Sequence, residues 1–185
     1  MRLVTPSLEY LDAYRAALET GWSPNNTRPE AAAEELCSIT SDPDGFIISL
    51  DDPNARGGDI QLPDGSFVKR LPSFRRWIWD DGFCGSIELR WQCGTNALPP
   101  TCLGHIGYAI VPWRRREGLA TAALAALLPE ARHVGLTAVD LIVDPSNIAS
   151  IRAIAANGGQ LIKRREKLPA HGDGQELLYR IELLA

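Results

Sequence analysis

The chain has 185 residues, 45% of them hydrophobic and 23% charged, with a formal net charge of -4. That length suits one domain with a sizeable core, spanning 1–185 with 51–73 as a loop or hairpin insertion. The acidic balance argues against nucleic acid and against an anionic membrane surface as partners, and no run approaches the ~20 apolar residues of a membrane span.

Cys37, Cys84, Cys93 and Cys102 form no C-x-x-C pair. The close ligand spacing of a zinc site is therefore missing, and no metal is expected. The opening stretch "MRLVTPSLEYLDAYRAALE" has no apolar signal-peptide core, so a cytoplasmic location with reduced thiols is expected.

Residues 2–5 read as a short strand, and Ser7 caps a helix with Leu11, Tyr14 and Leu18 at helical spacing. Pro29 opens a second helix through about Ile39, carrying Ala32, Leu36 and Ile39. "SDPDG" reads as a turn and "FIISL", 46–50, as a strand. Within 51–73 the pairs Gly57-Gly58 and Asp64-Gly65 are turn signals, consistent with a hairpin excursion or a mobile loop that borders a site. Strands follow at 75–81, 85–92 and 104–111, joined by short or Pro-rich connectors as an antiparallel meander requires. Then come a helix at 118–132, a strand at 138–144, a helix at 147–156 and strands at 160–166 and 175–183, with "HGDG" (171–174) as the last loop. The layout is α/β with a mixed sheet.

The segment "VPWRRREGLATAALAALLPEAR" is the anomaly. Its helix carries a stripe of Ala120, Leu124, Leu127, Leu128 and Ala131, which anchors it in the core. Arginines at a helix N-terminus oppose the helix dipole, so stability alone does not call for them. The free N–H groups of a first helical turn, an approachable backbone at Gly118 and the arginines together make a phosphate-sized anion nest. Neither a P-loop nor a Rossmann glycine fingerprint is present, which counts against a nucleotide-phosphate binder.

The run Arg115-Arg116-Glu117-Gly118-Leu119-Ala120 resembles the acetyl-CoA signature Arg/Gln-x-x-Gly-x-Gly/Ala of the GCN5-related N-acetyltransferase (GNAT) superfamily. The strand before it and the helix after it fit that context. Downstream "DPSNIASIRAIAANGG", with Asn147, Ser150 and Gly158-Gly159, resembles the family's next segment. The likeness is strong over 85–183 and is similar to a subgroup of predicted bacterial acetyltransferases. It implies a GNAT-like, mostly antiparallel mixed sheet flanked by helices, with a splayed central strand at 104–111.

It also implies an acetyl-CoA-dependent N-acetyltransferase acting on a primary amine of a small molecule or a peptide. The backbone of Ile110 and Val111 would pair with pantetheine. The amides of Arg116, Glu117, Gly118, Leu119, Ala120 and Thr121 would hold the pyrophosphate, with Arg115 and Arg116 adding charge. Asn147 would reach the cofactor arm, and Ser150 and Arg152 would lie near the adenosine phosphates; Asn147 equally suits a simple helix cap. Relatives are often dimers, so a homodimer is among the expected assemblies.

The resemblance breaks at the proton donor. Many members carry a Tyr on the helix after the Asn, and the matching position here is close to Ile154, with no Tyr in 145–178. Other candidates are His105, which titrates near neutrality; Tyr108, a hydroxyl on the central strand; and Glu88, on the neighbouring strand beside Ser86 and Arg90. Tyr179 on the last strand is a further option. Positioning alone also lowers the barrier, and a non-catalytic acyl-CoA-binding or sensing module is the alternative that the missing Tyr raises. Trp22, Trp77, Trp79 and Asp80-Asp81 are expected to border the acceptor groove, where they would suit a cationic amine.

Overall fold

The computed structural model describes residues 1–62, 65–168 and 173–183. Strand β1 (Arg2–Val4) leads into α1 (Leu8–Glu19), which buries Leu11, Tyr14, Ala17 and Leu18. Helix α2 (Ala31–Ser41) follows, burying Ala31, Ala32 and Ile39. The expected strand at 46–50 is instead helix α3 (Pro43–Ser49). Asp42 caps it by accepting from the Gly45 amide at 2.9 Å, and Pro43 sits in its first turn. An N-cap followed by proline is a helix start, and it outweighs the short apolar run after it.

The segment 51–73 forms β2 (Asp51–Asp52) and a small hairpin of β3 (Ile60–Gln61) and β4 (Phe67–Val68). Gly65 belongs to its turn, whereas Asp64 lies outside the described residues. Strands β5 (Ser73–Trp79), β6 (Phe83–Arg90) and β7 (Ile106–Ile110) then form the meander. The first sheet runs β1-β5-β6-β7, with β2 also on β5. After α4 (Leu119–His133) come β8 (Ala138–Val143), α5 (Ile148–Ala156), β9 (Gln160–Glu166) and β10 (Gln175–Glu182). These strands make a second sheet, ordered β8-β10-β9. His171 and Gly172 of the expected last loop lie outside the described residues.

Two apolar clusters hold the layers. One joins Ile78, Ile87, Leu89 and Ile106 to Leu124 and Leu127 of α4 and to Val139 and Leu141 of β8. The other joins Trp77, Phe83, Ala109 and Val111 to α1 and α2. The buried stripe of α4 consists of Leu119, Ala123, Leu124, Leu127 and Ala131. Ala120 and Leu128, expected in it, are only half-buried.

The two sheets part between β7 and β8. Every strand pairing among the described residues is antiparallel, and β7 meets β8 only through one bridge, Gly104 to Leu141. His105 closes that end twice: its amide donates to the Asp140 carbonyl at 2.7 Å, and its Nδ1 accepts from the Asp140 amide at 2.9 Å. Gly104 has φ +90°, and a Cβ there would stand 2.7 Å from the Asp140 carbonyl oxygen, so the approach needs glycine. From this clasp the strands diverge, which is the expected splay.

Candidate active site

Antiparallel pairing alternates, so successive residues of β7 turn their backbone groups to β6 and away from it. The Arg90 amide donates to the His105 carbonyl, and the Val111 amide donates to the Cys84 carbonyl at 3.0 Å. His105, Gly107, Ala109 and Val111 therefore face β6. Ile106, Tyr108 and Ile110 face the open side. Two of their carbonyls are met there: Tyr108 O accepts from Asn26 Nδ2 at 2.8 Å, and Ile110 O from Arg115 Nε at 3.3 Å. The expectation for Val111 is thereby corrected. Its amide is engaged by Cys84 and its carbonyl accepts from the Arg114 amide at 3.1 Å, leaving neither for a ligand.

A groove of about 1380 Å³ opens along this edge. Glu88, Tyr108, Asn147 and Ser150 line it together; His105 does not. The His105 ring is fully buried. Burial, the dominant influence, lowers its pKa against the opposing pull of Asp140. With Nδ1 accepting from a backbone amide, its lone pair is already used, which removes His105 from the set that faces a substrate.

Tyr108 is half-buried, and its hydroxyl donates to the Ser150 carbonyl on α5 at 3.4 Å. Burial, the dominant influence, raises its pKa against the opposing effect of the Ser150 side chain, so the hydroxyl keeps its proton at neutral pH. Glu88 projects from β6 opposite Gly107, 3.8 Å from Arg75 Nη2 and 4.0 Å from Arg90 Nε. Ile154, at the position of the family's tyrosine, is 1% exposed and belongs to the core. Tyr179 is likewise packed in the core, opposite Leu141.

At the other end of β7 a 3-10 turn (Pro112–Arg114) leads to α4. Its arginines divide their work. Arg114 pairs with Asp80 at 3.1 Å and with Glu117 at 2.9 Å. Arg115 reaches the Ile110 carbonyl. Arg116 has φ +69°, and among the described residues its side chain makes no hydrogen bond or ion pair. Gly118, the N-cap, has φ +75° and no side-chain cap. A Cβ there would meet nothing within 4 Å, so the backbone faces open space. Leu119, Ala120 and Thr121 begin the helix, and their amides have no intrahelical acceptor.

Asn147 caps α5 by accepting from the Ser150 amide at 3.1 Å, which leaves only its Nδ2 for a ligand. Asp144, before it, is held down to about 2 by the Ser146 hydroxyl and amide and by Lys167. Arg152 is exposed and outside the groove lining. Asn157 carries no local sequence signal for its role. Its Nδ2 donates to the Thr121 carbonyl at 3.0 Å and to Ala153 O at 2.8 Å, tying the end of α5 to the start of α4. Gly158 and Gly159 close α5 by donating to Ala155 O and Ile154 O, a Schellman stop.

The aromatic and acidic residues expected at the acceptor groove are elsewhere. Trp22 and Trp77 are buried at 5% and 0% exposure, and Trp77 stacks on Tyr14 with ring centroids 4.6 Å apart. Trp79 packs on Tyr10. Asp80 binds the N-terminal ammonium at 2.8 Å. None of these, nor Asp81, lines the groove.

The sequence profile of the acetyltransferase (GNAT) domain matches residues 3–160. The chain belongs to that family, whose reaction is acyl transfer from acetyl-CoA. Among solved structures, Mycobacterium smegmatis RimJ, in complex with CoA-disulfide, is similar at 21% identity and TM-score 0.64, over 97% of this chain and 80% of that one. RimL, a ribosomal L7/L12 alpha-N-protein acetyltransferase, is similar at 13% identity and TM-score 0.57, over 99% and 93%. The microcin C7 self-immunity acetyltransferase MccE, in complex with acetyl-CoA and AMP, is similar at 11% identity and TM-score 0.55, over 97% and 91%. Identities this low speak for the fold alone. No curated protein matches the sequence. Among the described residues no helix is long and apolar enough to cross a membrane, and no cluster of three or more His, Cys, Asp or Glu could hold a metal.

Proposed function

We propose that the protein moves the acetyl group of acetyl-CoA to a primary amine of a small molecule or a peptide. The observation that carries this reading is the open edge of β7 facing β8, with Tyr108, Asn147 and Ser150 lining the same groove as Glu88. Acetyl-CoA supplies the acetyl group already activated as a thioester. The amides of 116–121 and the free Arg116 side chain receive its pyrophosphate, as a helix N-terminus receives an anion. The outward amides of Tyr108 and Ile110, whose carbonyls are met by Asn26 and Arg115, donate to the pantetheine arm in strand-like fashion. A backbone N–H on that edge stabilises the thioester oxygen as negative charge develops on it.

Glu88 removes a proton from the substrate ammonium, freeing the nitrogen lone pair to attack the carbonyl carbon. As the C–N bond forms and the C–S bond breaks, the sulfur takes the electron pair. The Tyr108 hydroxyl gives the sulfur its proton; the nitrogen, positively charged once bonded to the carbonyl carbon, loses its second proton to solvent as the amide forms, and solvent returns a proton to the tyrosine. Tyr108 thus does from the strand what the family's tyrosine does from the helix. What supports this role is that the Tyr108 hydroxyl lines the groove and reaches the α5 backbone at Ser150.

The test is steady-state kinetics with an amine panel. Glu88→Gln and Tyr108→Phe are each expected to lower kcat roughly 10²–10⁴-fold, while the KM for acetyl-CoA stays within about threefold. The pH–rate profile of Glu88→Gln is expected to differ from that of the unmodified protein. Variants with full activity and an unchanged profile contradict these roles. A binding or sensing module, which the buried Ile154 favours, would bind acetyl-CoA and acetylate no amine.

A further inference from the structure

The groove is cationic in an acidic protein. Arg28, Lys69, Arg70, Arg75, Arg90 and Lys167 line it, against the three carboxylates Glu88, Asp144 and Glu176. Four of the six cations have a carboxylate within 3.2 Å: Arg28 has Glu34, Lys69 has Asp59, Arg75 has Glu35 and Lys167 has Asp144. Arg70 donates its Nε to the Gly58 carbonyl at 3.1 Å. Arg90 is the exception. Its Nε is buried with no hydrogen-bond partner, and its nearest carboxylate oxygen, on Glu88, is 4.0 Å away. Its other neighbour is the Cys102 thiol, with which it shares a side-chain hydrogen bond and which burial pushes up and so keeps neutral, so this partner brings no charge. Gly107 leaves the space above it open, since a Cβ there would stand 3.1 Å from Arg90 Nη2.

Arg90 is half-buried, with a buried Nε that has no partner and no carboxylate in hydrogen-bond reach, so it keeps donors that a ligand can complete. Its planar fork matches a carboxylate or a phosphate. It stands beside Glu88, the residue proposed to take the proton of the amine. We propose that Arg90 binds an anionic group on the acceptor, so that the substrate is an amine bearing a carboxylate or phosphate close to its nitrogen. This rests on the transferase reading. The ammonium sits at Glu88 and the anion at Arg90, which aligns a zwitterionic substrate along β6. Arg75, held by Glu35 and Tyr14, stands 3.8 Å from the other oxygen of Glu88. The cationic acceptor expected from the tryptophans and aspartates is thereby replaced by an anionic one.

The experiment compares β-alanine (carboxylate), O-phosphoethanolamine (phosphate), ethanolamine (neutral) and putrescine (cationic) at saturating acetyl-CoA. The kcat/KM of at least one anionic amine is expected to exceed that of ethanolamine at least tenfold, and the two anionic arms tell which anion is read. Arg90→Gln lowers that ratio at least tenfold, and Arg90→Lys lowers it less. Thermal melts of both variants identify a loss of fold. In parallel, calorimetry measures the four amines against the CoA-bound protein. Binding of the anionic amines that Arg90→Gln weakens, without any acetylation, sustains the anion site at Arg90 and overturns the transferase reading, and with it the assignment of the substrate. Equal or better turnover of ethanolamine or putrescine overturns the inference and sustains the transferase. A ratio unmoved by Arg90→Gln overturns it as well, as does an absence of both binding and turnover across the panel.

Discussion

His105 shows how one residue changes meaning with its surroundings. As a sequence feature it is a titratable group on the central strand. In the structure its ring is buried and accepts a backbone amide, so it joins the two sheets where they are closest. Burial lowers its folded pKa below the ordinary 6.5, and the unfolded chain therefore binds the extra proton first. The stabilisation is complete above about pH 6.5, is lost as pH falls below it, and levels off beneath the folded value. His105→Gln should flatten this dependence, narrowing the gap between melting temperatures at pH 7.5 and pH 5.5 by a few degrees, at ~2–4 °C per kcal/mol for a domain of this size. The pH–rate profile should keep its limbs in the same variant. An unchanged melting gap, or a lost kinetic limb, contradicts the structural role. Val111 carries a related lesson. Neighbours on a strand face opposite ways, so only the register to β6 separates Ile110, which faces the cleft, from Val111, which does not.

At the scale of elements, the mouth of α4 was readable from the chain because its signals are local. A strand, a left-handed glycine and an apolar helix follow one another within thirty residues, and the structure keeps that order. What holds the mouth in position was not readable. Asn157 lies 36 residues from Thr121, whose carbonyl it meets, and no local pattern announces that contact. Asn157→Ala removes two hydrogen bonds and should cost roughly 1–2 kcal/mol. It should also weaken acetyl-CoA binding several-fold by loosening the first turn of α4; stability lost with affinity intact would assign Asn157 to folding alone. Gly118→Val tests the mouth directly. A Cβ there meets nothing within 4 Å, so the main cost within the protein is the left-handed backbone, about 1–2 kcal/mol. A folded Gly118→Val protein should bind acetyl-CoA at least tenfold more weakly, and unchanged affinity contradicts the assignment. Helix α3 departs from the expected strand for a local reason: a short apolar run fits a strand or a buried helix equally, and the Asp42-Pro43 start decides it.

At the scale of the whole molecule, the layout of strands and helices followed from periodicity and turn residues, whereas the groove did not. Its charge comes from Arg28 in a loop, Arg70 at the edge of the small hairpin, Arg75 on β5 and Arg90 on β6. These residues are far apart in sequence, and only folding puts them on one surface. The tryptophans expected there are large apolar side chains, and the core took them first. The account as a whole depends on the cleft between β7 and β8 being a cofactor cleft. The most direct test is a calorimetric titration of the protein with acetyl-CoA, with CoA and ATP as controls. The account predicts saturable binding of acetyl-CoA with a micromolar Kd, about -8 kcal/mol, and at least tenfold preference over ATP. No binding of acetyl-CoA, or equal binding of ATP, would contradict it.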